Sequence, residues 1–144
     1  MSIGNLVPRR RVLALVPALA LMVSVAGCGG DSTGYRLSGK VTFNNQPIPV
    51  GTIYFDPDGS KGNSGASGFA QIKDGAFDTS AAGGQGTIGG PMVVRIVGLD
   101  GVKIDEERVN GKPLFPEYRT EVELPKENST MDFEVPASAA AARR

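Results

Sequence analysis

Asp56, Asp58, Ser60 and Asn63 put four oxygen-bearing side chains into the loop DPDGSKGN, residues 56–63. Calcium takes oxygen ligands of this kind, about six to eight at a time. The spacing lacks the twelve-residue pattern and closing glutamate of an EF-hand, and the same residue types are ordinary turn formers. The loop therefore reads either as a calcium site or as a plain polar turn. Gly84, Gly86 and Gly89 spell G-x-G-x-x-G. A dinucleotide site needs those glycines to open a helix whose N-terminus holds the pyrophosphate. Pro91 and the β-patterned run Met92 to Val97 follow instead, which predicts a loop between strands. Asp105, Glu106 and Glu107 are adjacent carboxylates. Glycosidic chemistry needs two acids held apart on a rigid frame, and neighbours in a long polar loop form a solvated charge run.

Composition removes whole classes of chemistry. The chain has no histidine and a single cysteine, Cys28. Without histidine there is no Ser-His-Asp triad, no Cys-His pair and no His-ligated metal. The sequence thus offers no catalytic residues and no metal cluster, and the expectation is a non-enzyme. Fifteen basic residues balance fifteen acidic ones, leaving no cationic surplus to hold nucleic acid.

Cys28 stands at the end of a distinctive segment. Arg9, Arg10 and Arg11 precede an apolar run from Val12 to Ala26 that Pro17 interrupts. A basic head, a short apolar middle and small residues at the end make a secretory signal. The run falls short of the roughly 20 residues a spanning helix needs. Val25, Ala26, Gly27 and Cys28 resemble the bacterial lipobox. That resemblance implies cleavage between Gly27 and Cys28 and a covalent lipid on Cys28, with no other cofactor. It also accounts for an odd cysteine in an exported chain. Several acyl chains anchor firmly where one alone is marginal. Gly29, the residue after the cysteine, is not acidic, which in the lipoprotein sorting rule points to the outer membrane or cell surface. Arg9 and Arg10 loosely resemble a twin-arginine signal, although the residues that follow fit it poorly.

The expected organisation is a signal peptide over 1–27, a lipidated tether over 28–34, a β domain over 35–135 and a flexible tail over 136–144. Loss of the three arginines leaves twelve basic against fifteen acidic residues. Tyr35 to Phe43 alternates as a half-buried strand. Ile53 and Phe55, Ala70 and Ile72, and Phe77 are the inward positions of the next three. Asp74-Gly75 is a hairpin signal. Met92, Val94 and Ile96 face the core from a central strand, as do Thr120, Val122 and Leu124, then Met131, Phe133 and Val135. Between them, Leu99 to Tyr118 is a long polar loop of the kind that is often functional. Its Phe115 and Tyr118 are either partner anchors or plugs in the core. About seven short strands with regular turn signals predict an all-β antiparallel sandwich.

LSGKVTFNNQPIPVGTIYFDPDG, GASGFAQIKDGAF and GGPMVVRIVG together resemble the transthyretin-like, carboxypeptidase-regulatory-like β-sandwich, in the form of short lipoproteins of planctomycete-type bacteria. The resemblance covers Leu37 to about Val135 and implies a fold; no site residue comes with it. The expected function is a lipid-anchored structural or protein-interaction module of the cell envelope, touching the membrane and an envelope protein or polysaccharide. The alternative is a glycan or small-ligand binder serving a transport or degradation system. Asn128-Ser129-Thr130 matches a glycosylation sequon, which carries little meaning at a bacterial address.

Overall fold

A computed structural model describes Gly4 and residues 34–143. The signal segment, the Gly27–Cys28 cleavage point, the lipid on Cys28 and the tether up to residue 33 lie outside the described residues.

The fold is all-β. Among the described residues nine strands follow in order: β1 (Leu37–Phe43), β2 (Gln46–Pro47), β3 (Val50–Pro57), β4 (Gly68–Lys73), β5 (Ala76–Asp78), β6 (Gly90–Leu99), β7 (Tyr118–Leu124), β8 (Ser129–Thr130) and β9 (Phe133–Val135). The spatial order is β2-β1-β5-β4-β3-β6-β7. Neighbours on this path are antiparallel, while β8 and β9 both lie parallel to β1. β1 changes neighbours along its length. Its first half pairs with β5 and β8, and its second half with β2 and β9. The sheet thereby curls over itself into a sandwich-like body, and the apolar face of each strand is covered.

The burial follows from the alternation. In β6 every second residue is buried, from Gly90 through Met92, Val94 and Ile96 to Gly98. Ile53 and Phe55 of β3 and Ala70 and Ile72 of β4 continue the same inner layer. Phe55, Phe77 and Phe133 meet at its centre with ring centroids 5.8, 6.0 and 5.9 Å apart. Tilted rings at such spacings are a favoured aromatic packing. Asp74 (φ 48°) and Gly75 (φ 76°) make the two-residue turn between β4 and β5, the mirror-image turn that suits strand twist.

The C-terminal segment carries one short element. Ala137–Arg143 forms a 3₁₀ helix, and Ala139 and Ala140 pack against the core. Small side chains let this short turn lie close to the sheet without an apolar stripe. Among the described residues no helix is long and apolar enough to cross a membrane.

Candidate functional site at the hairpin end

The long segment after β6 is an ordered hairpin, not an open loop. Leu99 bridges Pro113. Asp100 N–H donates to Lys112 O at 3.0 Å, Gly101 N–H to Asn110 O at 3.0 Å and Ile104 N–H to Arg108 O at 3.1 Å. Its polar residues supply the fastenings. Asp100 Oδ1 accepts from Val102 N–H and Lys112 N–H, both at 3.0 Å. These backbone donors hold the Asp100 carboxyl below its ordinary pKa, because they favour the charged form. Gly111 (φ +85°) closes the base, where a Cβ would stand 1.8 Å from Asp100 Oδ1. At the tip, Asp105 caps the turn by accepting from Arg108 N–H at 2.7 Å and from Glu107 N–H at 3.1 Å. It also pairs with the Arg108 guanidinium, which lowers its pKa.

The hairpin's apolar residues are left outside. Val102 is 63% exposed, Val109 51% and Ile104 40%. The aromatic pair, read as either partner anchors or core plugs, lies against the core. Phe115 is buried in the core, its ring 4.9 Å from that of Phe43, and Tyr118 packs half-buried against the core cluster. Both are plugs. Sequence reading looked to the aromatics; the signal it passed over was the β-branched trio set among charges.

Beside the hairpin's base lies a cleft of about 330 Å³, lined by Phe43, Asn44, Gln46, Pro47, Pro49, Leu114 and Asp100. Ligand pockets start at about this size.

This end of the domain is remote from where the chain enters. Tyr35 pairs with Thr87, and Phe69, which pairs with Tyr54 late in β3, bridges Gln85. The hairpin leaves β6 at Leu99, opposite Val50 at the start of β3. The two ends are thus separated by about half of β3, roughly 13 Å at strand rise.

The four residues of the 56–63 loop do not converge. Asp58 caps its own 3₁₀ turn, accepting from Ser60 N–H at 3.0 Å and Ser60 O–H at 2.6 Å. Asn63 Nδ2 donates to Pro91 O at 2.7 Å and Gly89 O at 3.0 Å. Asp56 turns to the outer sheet face, where Ser67 O–H donates at 2.7 Å and Arg95 Nε at 2.5 Å. Among the described residues no three acidic, cysteine or histidine side chains form a group that could hold a metal. Gly84, Gly86 and Gly89 allow close backbone approaches; a Cβ on Gly86 would meet the Gly34 backbone at 3.0 Å. A strand follows them, not a helix. Asn128 Oδ1 accepts from Arg36 N–H at 2.8 Å and ties β8 to the start of β1.

The outer face carries a charge chain that the sequence did not announce. Arg95 lies between Asp56 and Glu117, and Glu117 also binds Arg119. The Arg95 guanidinium stands 4.6 Å from the centre of the Tyr54 ring. Hydrogen bonding to Arg95 lowers the Asp56 pKa, and that to Arg119 lowers the Glu117 pKa. Among the described residues, each carboxyl whose pKa moves is moved down. No protein-family model matches this chain, and no curated protein matches it either.

Proposed function

We propose that this chain is a lipid-anchored, non-catalytic β-sandwich module of a bacterial envelope, tethered through Cys28, that grips a protein partner with the hairpin of residues 99–113. The observation that carries the reading is the exposure of Val102, Ile104 and Val109 on a hairpin fastened by Asp100 and Asp105. Three β-branched side chains held in water on a rigid frame cost little further order on binding. The frame stands at the end remote from the chain's entrance at Tyr35. A lipid at Cys28 therefore leaves the hairpin free to reach outward. The lipobox-like Val25–Cys28 segment supports the anchor, and the transthyretin-like sequence pattern fits the β architecture.

Two measurements test the two halves. Labelled palmitate should enter the protein in cells and be lost in Cys28→Ala; equal label in both sinks the anchor. A photo-crosslinker at Val109 should capture one discrete protein, and the same probe at Lys126, near the opposite end, should not. Equal capture at both positions sinks the hairpin reading.

A glycan or small-ligand binder is the second reading, favoured by the cleft of about 330 Å³ with Phe43 and Leu114 in its walls. A glycan array separates the two, because tight sugar binding supports the cleft as the primary site.

A further inference from the structure

We infer that the cleft at the hairpin's base receives a lysine side chain of the partner, with Asp100 as its counter-ion. The inference rests on the hairpin reading above and names the chemistry of what is gripped.

The lining decides the class of ligand. Phe43, Pro47, Pro49 and Leu114 give apolar walls, Asn44 and Gln46 are neutral amides, and Asp100 is the one charged residue among them. An apolar slot with a fixed negative charge matches a cation carried on an apolar stem. Lysine is such a group, since its methylenes bury while its head keeps a polar partner.

The geometry of Asp100 distinguishes lysine from arginine. Oδ1 already accepts two backbone N–H groups, and Gly111 packs against it so closely that no side chain fits there. The carboxylate is thereby fixed in rotation. Among the described residues Oδ2 accepts no hydrogen bond, and Lys112, whose charge acts on Asp100, makes no salt bridge to it. One open oxygen removes the two-pronged grip that gives guanidinium its advantage. An ammonium can make its one charge-assisted bond to that oxygen and keep its other N–H groups on water at the open mouth of the cleft. Phe43, half-buried at the cleft wall, adds an aromatic surface for a cation.

The test titrates full-length lipidated protein in detergent with three acetylated, amidated tripeptides, Leu-Lys-Leu, Leu-Arg-Leu and Leu-norleucine-Leu, read by NMR shifts at Leu114 and Phe43. The lysine peptide should bind about tenfold more tightly than the norleucine peptide, the scale of one charge-assisted hydrogen bond, and its affinity should fall with added salt. Asp100→Asn keeps an oxygen for both backbone donors but loses the charge. It should lower the melting temperature by no more than a few degrees and weaken the lysine peptide about tenfold. Equal binding of the lysine and norleucine peptides overturns the inference, as does equal lysine-peptide affinity in Asp100→Asn. Tighter binding of the arginine peptide, or binding of a neutral sugar at Leu114, also overturns it. The crosslink at Val109 is independent of this titration. If the crosslink forms and the lysine peptide is ignored, the hairpin reading stands and only the lysine assignment falls.

Discussion

Gly98 and Phe115 fit each other as edge and slot. A Cβ built on Gly98 would stand 2.9 Å from Phe115 Cζ and 3.1 Å from Ile48 Cγ2. The missing side chain in β6 is what lets the ring at the far end of the hairpin enter the core. Phe115→Ala should cost about 3–5 kcal/mol, the usual loss for a fully buried phenylalanine. Gly98→Ala should cost about 1–3 kcal/mol by overpacking. The double variant Gly98→Ala with Phe115→Ala should lose less than the two single changes together, because the sites share one space. Urea unfolding of the three variants measures this, and strict additivity would show that the two residues do not compete for that space.

Asn44 and Asn45 both have positive φ, 49° and 62°, in the turn where Phe43 pairs with Gln46. A turn of this hand favours glycine at its second position. Asn45→Gly should therefore keep or raise stability. Asn45→Val should lower it by about 1–2 kcal/mol, the penalty for a left-handed side chain. Thermal melts of the two variants should bracket the parent, and a valine variant as stable as the parent would mean that the turn relaxes without cost.

The strands were legible because their alternation is regular. Met92, Val94 and Ile96 recur at period two, and so do Phe133 and Val135, so the inner face is written into the chain. The turn at Asp74-Gly75 was legible for the same local reason, since few other dipeptides suit both left-handed positions. What was not legible depends on which strands become neighbours. Arg95 meets Tyr54 only because β6 pairs with β3, and Asp56 is drawn to Arg95 instead of to Asp58. The division of β1 between two sets of partners has no mark in its own residues. The hairpin was hidden for another reason. Its ladder is spliced by side-chain bonds from Asp100 and Asp105, and those read in sequence as loop polarity. The short C-terminal helix was not legible because four alanines show no apolar stripe, yet small residues can still pack against a sheet.

Acid should destabilise the fold. Asp56 and Asp78 are held below the ordinary carboxylate value, first by hydrogen bonds from Arg95 and from Arg36 respectively. A depressed folded pKa means that the unfolded chain binds protons first as pH falls. The stabilisation is therefore complete above the unfolded value near 3.8 and is lost below it, as pH drops through the folded values. Urea midpoints should be flat from neutrality to about pH 5 and fall from about pH 4 downward. Asp56→Asn should reduce that slope and cost about 1 kcal/mol or less at pH 7, as expected for a partly exposed pair. An Asp56→Asn profile parallel to the parent's through pH 3 would show that the Arg95 contact does not contribute.

Val102, Ile104 and Val109 should be expendable for folding. Their side chains are largely in water, while the hairpin is fastened by backbone pairs and by Asp100 and Asp105. Replacing all three by threonine keeps the β-branched shape and removes apolar surface. Single surface changes of this kind fall within about 0.5 kcal/mol, so the triple variant should melt within a few degrees of the parent. Asp100→Ala is the contrasting change. It strips Val102 N–H and Lys112 N–H of their acceptor and should raise amide exchange throughout residues 99–113. It should leave the rest of the sheet protected, since hairpin opening is a local event. Hydrogen-exchange mass spectrometry separates the two classes of variant. Loss of protection in the threonine variant would mean that the exposed trio contributes to holding the hairpin, and that its exposure does not mark a surface kept for a partner.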